Sequence, residues 1–470
     1  MSTTPETVTP RDLDPDTTRP ASDRRPRASA WVLLRPLVLR LHFYAGVLVA
    51  PFLAIACITG ILFAFSPQLS NLVYRHELLV GPHTGPARPL DDLVAAAVAA
   101  HPEGTLNSVI VEADPDRTTG IVLDVEGLGN DLQRTVYVDP YTAEVRGALD
   151  TWWDSPPLQT TLDDLHRNLM LGDGVGSMYS ELAASWLWVL VLGGLALWIV
   201  KVRGRRKAAE ALLPPRGIRP GRRRILRWHG SMGVWLTVSL LFLSATGLTW
   251  STYAGANFSA FVDVAKGSIP TLAAEPVPAQ DAALITVQDA LDRGRAAGME
   301  GPVKLGVPAE PGAPFTVSEI SRDWPVQSDA VSLDPYTGAV TETVLWRDFP
   351  VLAKFTRMGV LAHMGMLFGL FNQLALVATA LGLLCMIFWG YRMWWQRRPT
   401  RGAFRLTPPV RRGTLRDLAQ PASFAIILVA VAVGWALPAL GVSLVLFVVG
   451  DAAVAALARR RAARIAGDRR

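Results

Sequence analysis

Cysteine is almost absent. Cys57 and Cys385 are the two in 470 residues, and both fall within apolar runs. That excludes a disulfide framework and any zinc or iron–sulfur site built on cysteine. Charge is also scarce, at 18% of residues, while half of the chain is apolar. A soluble multidomain protein of ordinary composition does not look like this. Acidic residues are missing where basic ones crowd. Residues 201–227 carry eleven Lys/Arg against Glu210, and residues 397–416 carry seven Arg and no acid.

What is present is a set of runs long enough to cross a hydrocarbon core of about 30 Å, which takes roughly 20 helical residues. They fall at about 41–65, 181–200, 228–253 and 360–395. A fifth stretch, 422–457, is too long for one untilted helix and is interrupted by Gly434, Pro438 and Gly441. The two basic loops belong on the cytoplasmic side. Basic residues flank the first span (Arg24, Arg25, Arg27, Arg35, Arg40) and end the chain. Both termini are therefore expected in the cytoplasm, and the last stretch is expected to cross twice as a hairpin. The net charge of +6 is accounted for by these anchors and their contact with anionic lipid, with no nucleic-acid partner. No cleavable signal is expected from the polar opening residues. Residues 1–40 read as a disordered polar tail, and span one as an uncleaved anchor.

The expected layout follows. Residues 41–65 are span one, 66–157 an extracytoplasmic domain, and 158–200 a pre-span helix with span two. After the basic loop 201–227 come span three (228–253), a second extracytoplasmic domain (254–350), and a pre-span helix with span four (351–395). A basic loop (396–420), the hairpin (421–457) and a basic tail (458–470) complete the chain.

The halves repeat each other. His42 is followed by Gly46, Thr59 and Gly60, and His229 by Gly233, Thr246 and Gly247, at offsets of +4, +17 and +18 in both. His166 and His363 are each followed by glycine at +6, Gly172 and Gly369. Val136-Tyr-Val-Asp139-Pro-Tyr-Thr matches Val331-Ser-Leu-Asp334-Pro-Tyr-Thr, an alternating strand running into turn chemistry. Helical patterns lie upstream at 90–100 and 284–297, with strand-like runs at 108–112 and 120–125. Each extracytoplasmic segment thus reads as a small α+β domain, one helix against an antiparallel sheet. The fold class is a polytopic α-helical membrane protein, internally duplicated, with two such domains. It has about six transmembrane helices: four core spans plus the C-terminal hairpin.

Four of the seven histidines sit in this repeat at membrane depth. Intramembrane ionisable side chains mark function by default. His42 and His229 lie at the cytoplasmic ends of their spans, His166 and His363 at the outer ends. Two facing imidazoles complete the axial coordination of a haem iron. Two b-type haems are therefore expected, one on His42 and His229, the other on His166 and His363. With no Cys-x-x-Cys-His, c-type attachment is excluded by its usual signature. A four-histidine zinc site would need all four near one point. An offset of +18 is five helical turns, about 27 Å of rise on the starting azimuth. Gly46 and Gly233 should clear space beside the inner ligands, and Gly60 and Gly247 beside the outer site. Arg167, and on the inner side Arg40 and Arg227, could meet haem carboxylates. They read equally well as lipid-facing anchors. Met170 and Met366 read as core rather than as ligands, and His76, His83 and His101 as surface.

The paired Asp-Pro-Tyr-Thr hairpins, Leu165-His166-Arg167 before span two and Trp228-His229-Gly230 opening span three resemble the PepSY-associated transmembrane helix family. The resemblance extends over about residues 32–395. The fourth-span motif departs from the second, reading His363-Met364-Gly365 where the second has His166-Arg167. The family includes iron-regulated membrane proteins and haem-containing ferric-siderophore reductases of the inner membrane. The resemblance implies a di-haem electron carrier in the cell membrane, with PepSY-like outer domains. It would take electrons from a cytoplasmic or quinol donor and reduce an extracytoplasmic ferric-siderophore or other ferric chelate. A binding module restraining an extracytoplasmic peptidase is the alternative, because PepSY-like domains also occur in inhibitory propeptides. That reading leaves the four histidines unexplained. A transporter ranks lowest, since spans one to four lack midplane acids and the repeat preserves orientation.

Overall fold

The structure is a computed structural model. It describes residues 30–83, 85–129, 131–172, 174–202, 208–213, 217, 219–396 and 420–467. Most of the expected N-terminal tail, nearly all of the loop 396–420, parts of the loop 201–227 and the last three residues lie outside the described residues.

Helices α1 (Ala30–Leu48) and α2 (Ala50–Ala64) are followed by the short α3 (Ser66–Val73) and α4 (Arg75–Leu78). Next come α5 (Leu90–Ala100), β1 (Gly104–Val111), β2 (Thr119–Val125), β3 (Leu132–Val138) and β4 (Val145–Trp152). Helix α6 (Pro157–Asn168) leads into the long α7 (Val175–Val202). Past α8 (Ala208–Leu212) and α9 (Arg222–Thr249), the succession recurs. It runs α10 (Tyr253–Val264), α11 (Val287–Ala296), β5 (Val303–Gly306), β6 (Phe315–Glu319), β7 (Ala330–Leu333) and β8 (Val340–Val344). Helices α12 (Val351–His363), α13 (Gly369–Trp395), α14 (Gln420–Ala436) and α15 (Pro438–Gly467) complete it.

Among the described residues five helices are long and apolar enough to cross a membrane, within α1, α7, α9, α13 and α15. The pair α2–α3, bent by 53°, makes up to six. Helices α1 and α2 run on with little interruption. Val49 between them keeps helical angles, and the bonds Val49 N–H to Ala45 O and Leu53 N–H to Val49 O bridge the junction. Pro51 has no N–H to give the Val47 carbonyl. The hydroxyl of Tyr391 on α13 donates to that carbonyl instead, at 2.8 Å. At the C-terminal end, α14 and α15 meet at Gly434 and Gly441, whose backbones approach so closely that a Cβ on Gly441 would stand 2.8 Å from the Gly434 Cα. Small residues permit such backbone contact between apolar helices.

The two expected sheet domains are not separate. All eight strands form one antiparallel sheet, in the order β4-β3-β2-β1-β5-β6-β7-β8. The halves join through β1 and β5, with Val109 opposite Leu305 and Val111 opposite Val303. Pairing removes the free edges that β1 and β5 would otherwise present, leaving β4 and β8 at the ends of the sheet. One core serves both halves. Val109, Ile121, Leu123, Val136 and Val138 share it with Val303, Leu305, Val317, Val331 and Leu333, under Leu93 of α5 and Ala290 of α11. The two covering helices cap each other. Asp91 accepts the N–H groups of Val287 (3.0 Å) and Gln288 (3.3 Å), and the Gln288 side chain accepts Leu90 N–H at 3.0 Å.

The Asp-Pro-Tyr-Thr segments turn as expected. Asp139 Oδ1 accepts from the N–H groups of Tyr141 and Thr142, and Asp334 Oδ1 from those of Tyr336 and Thr337, all at 2.8–3.2 Å. These bonds hold the Asp334 carboxyl below its ordinary pKa.

Candidate functional site

Four rods carry the site. Helix α7 packs on α1, α2 and α9, and α13 packs on α2 and α9. Leu53, Ala183, Leu187, Leu240 and Leu383 fill the space between them, with Leu440 of α15. Gly172 and Gly369, the +6 glycines, both have positive φ, 75° and 54°. They follow α6 and α12, where the chain turns into the long helices, and left-handed backbone there favours glycine.

At the end of the bundle far from the sheet, the rings of His42 (α1) and His229 (α9) meet edge-on. Their centroids are 6.3 Å apart and their planes 83° apart. A metal–imidazole bond is about 2 Å and a ring nitrogen lies about 1.1 Å from its ring centre, so trans imidazoles on one ion put their centroids roughly 6.2 Å apart. The observed spacing leaves room for one metal ion between two ring nitrogens and is also that of an ordinary edge-to-face ring pair. The Nδ1 of His42 lies 2.9 Å from the Leu190 carbonyl. A carbonyl only accepts, so Nδ1 carries the proton and Nε2 keeps its lone pair. Ligating histidines are commonly held in this way. The Nδ1 of His229 is buried without a hydrogen-bond partner among the described residues.

At the sheet end, His166 (α6) and His363 (α12) each meet a threonine of the neighbouring rod. His166 Nδ1 lies 2.9 Å from Thr59 Oγ1, and His363 Nδ1 lies 2.6 Å from Thr246 Oγ1. Each threonine has one hydroxyl proton. Thr59 gives its proton to the Ile55 carbonyl at 2.9 Å, and Thr246 to the Phe242 carbonyl at 2.8 Å. With the hydroxyl protons placed on those carbonyls, the imidazoles donate from Nδ1 and Nε2 is left bare. His166 lies within electrostatic reach of His363. Phe63 stacks on His166 with planes 13° apart. Thr59 and Thr246 were visible in the sequence as the +17 members of the repeat; that they would bond the histidines was not.

The glycines divide. Gly60 and Gly247 adjoin the sheet-side histidines, where an added Cβ would stand 3.1 Å from His166 Cε1 and 3.4 Å from His363 Cε1. They admit the imidazoles themselves. Gly46 and Gly233 face Leu190 and Met386 of the neighbouring rods, with Cβ distances of 3.7 and 3.1 Å. Beside the His42 ring stands a glycine that the sequence reading did not single out, Gly194 of α7, with a Cβ distance of 3.0 Å to His42 Cε1.

Of the remaining residues, Arg167 lies against Asp163 (3.6 Å), Asp164 (3.5 Å) and the Trp152 ring. Arg40 pairs with Asp451 of α15 at 2.6 Å, and Arg227 donates to the Glu210 carbonyl at 2.7 Å. Met170 is 63% exposed, so it is not core; Met366 packs in a small cluster under Val326. His76, His83 and His101 make local contacts with Arg146, Asp139 and Glu103. Among the described residues no three His, Cys, Asp or Glu side chains are grouped to hold a metal.

The family model described as the PepSY-associated TM region matches residues 39–397. The chain belongs to that family. The match spans both histidine pairs, both Asp-Pro-Tyr-Thr turns and the whole joined sheet, so the PepSY-associated region here is one sheet above one bundle. This member of the family is a multi-pass membrane protein. No curated protein matches the chain.

Proposed function

We propose that this protein carries electrons across the cell membrane to an extracytoplasmic ferric chelate, using two haems. His42 and His229 would hold one near the cytoplasmic face, and His166 and His363 the other near the outer face. The positive-inside distribution supports cytoplasmic termini and an extracytoplasmic sheet. When bound, haem supplies reversible one-electron chemistry.

The chain's own residues do the rest. Leu190, Thr59 and Thr246 take the Nδ1 protons and so aim three bare Nε2 atoms. The observation that carries the reading is the 6.3 Å ring spacing of His42 and His229 together with that tautomer. Thr59 lies 17 residues beyond His42, about 25 Å of helix rise, so the two stations divide the membrane between them. Apolar side chains such as Leu53, Leu187 and Leu240 pack in the bundle between them. The donor would be cytoplasmic or a quinol, and membrane lipid surrounds the spans.

Proteoliposomes test this. A reductant is trapped inside, and a ferric-siderophore with a membrane-impermeant ferrous chelator is added outside. Ferrous complex should form outside with the protein and not with a His42→Ala/His229→Ala variant. Equal rates with and without protein would refute the reading.

A further inference from the structure

The hairpin of α14 and α15 lies beyond the residues that the family model matches, 39–397. Three polar contacts tie it to the bundle. Arg40 of α1 pairs with Asp451 at 2.6 Å, and the Trp186 indole of α7 donates to Ser443 Oγ at 2.8 Å. Asn257 Nδ2 of α10 donates to the carbonyls of Trp435 (3.0 Å) and Ala436 (3.3 Å). Despite these ties the hairpin does not close on the bundle. A cleft of about 880 Å³ remains between them, bordered by Val38 and Leu41 of α1, Trp188 and Gly193 of α7, and Leu437 and Leu440 of the hairpin, with residues of α9 and α10. Cavities that hold small molecules run to about 300–1,000 Å³.

The lining selects by chemistry. Among the described residues no Asp, Glu, Lys, Arg or His side chain borders the cleft. A charged headgroup would enter it without a partner and at a heavy desolvation cost. Leu192, Leu248, Phe258 and Phe261 offer aliphatic and aromatic surface to an apolar chain. Trp188 supplies a polar group as well: its indole N–H has no hydrogen-bond partner among the described residues, which leaves one donor for an oxygen. The cleft lies among membrane-spanning helices, so its occupant comes from the bilayer. One wall is shared with the histidine pair far from the sheet. Gly193 borders the cleft, and a Cβ there would stand 3.8 Å from His42 Nδ1. An occupant of the cleft therefore reaches within one glycine of His42.

We propose that this cleft binds an isoprenoid quinol of the membrane, which is the electron donor. The proposal rests on the function proposed above and decides between its two donors. A quinol is long, apolar and uncharged, and its ring oxygens accept a hydrogen bond from Trp188. A phospholipid chain meets the apolar lining, but its phosphate finds no partner there. On oxidation the quinol's two O–H bonds break and two ring C=O bonds form. Two protons leave to water. Two electrons pass, one at a time, to the His42–His229 station, and two ferric chelates outside become ferrous.

The test uses the full-length protein in phosphatidylglycerol nanodiscs, with decylubiquinone and decylubiquinol as probes. Quinone binding is measured by calorimetry, and the rate of haem reduction by quinol in a stopped-flow instrument. Ala436→Trp fills the cleft from the hairpin side, on an element that carries none of the four histidines. Trp188→Phe removes the donor and keeps an aromatic ring. Ala432→Trp adds the same bulk to α14 outside the cleft. Ala436→Trp should weaken binding and slow reduction by quinol about tenfold or more, the cost of overfilling a packed site. Trp188→Phe should lose about fivefold in each, the loss of one neutral hydrogen bond, and it keeps the proposal testable if Ala436→Trp misfolds. Ala432→Trp should match wild type, and reduction by dithionite should be the same in all four proteins. Quinone binding absent from wild type or undiminished in both cleft variants would overturn the site. Weakened binding with unchanged reduction by quinol would leave it a lipid site and not the donor's. Wild-type protein without haem would refute the function proposed above, while quinone binding would still decide the cleft.

Discussion

Thr246 Oγ1 stands 2.6 Å from His363 Nδ1 and 2.8 Å from the Phe242 carbonyl, to which its hydroxyl proton is assigned. The threonine therefore acts as an acceptor that fixes the imidazole tautomer, as Thr59 does for His166. Thr246→Val removes the acceptor while keeping the shape. It should leave a buried N–H unpaired at about 1–3 kcal/mol and weaken metal retention at that centre about 10- to 100-fold. Haem retained after competition with apomyoglobin measures this. Thr59→Val should act on the same centre, whereas Thr237→Val, whose hydroxyl donates to the Gly233 carbonyl in its own helix, should have no effect.

Glycine substitutions should separate the two stations. A Cβ on Gly194 would press on His42 at 3.0 Å, and one on Gly60 on His166 at 3.1 Å. Alanine forces a shift of tenths of an ångström; leucine displaces the ring, with overpacking costs of about 1–3 kcal/mol. Gly194→Leu should perturb only the His42–His229 absorbance, and Gly60→Leu only that of His166–His363. Both changes altering both centres would contradict the assignment.

Much of this was legible in the sequence. Helix α5 falls on the predicted residues 90–100, because its apolar residues recur at helical spacing. The Asp-Pro-Tyr-Thr hairpins were readable because turn chemistry is local. The joining of β1 to β5 was not, since the register of Val109 with Leu305 links residues nearly 200 apart and leaves no local pattern. Gly194 escaped notice for a related reason. The ring of His42 reaches across to another helix, and spacing along one helix says nothing of its neighbour.

The joined sheet makes a prediction of its own. Asp91 on the first half caps α11 of the second. Asp91→Ala should cost about 0.5–2 kcal/mol and loosen both halves together. Amide exchange should speed up in β1 and β5 alike. Faster exchange confined to α11 would mean that the halves are energetically independent.

Acidification should loosen the second turn. The folded Asp334 carboxyl has its pKa depressed by the N–H groups of Thr337 and Tyr336. Such a group stabilises the fold above its unfolded pKa of about 3.9, and that contribution is lost as pH falls through the lower folded value. Amide exchange at Tyr336 and Thr337, corrected for intrinsic rates, should therefore lose protection below about pH 4. Asp334→Asn, which cannot titrate, should lack this step.

The central claim is that two histidine pairs hold two haems. Pyridine haemochrome quantitation of the purified protein tests it most directly, on wild type, His42→Ala/His229→Ala and His166→Ala/His363→Ala. The account predicts about two haems per chain in the wild type and about one in each double variant. No haem in correctly folded wild type, or two haems in either variant, would contradict it.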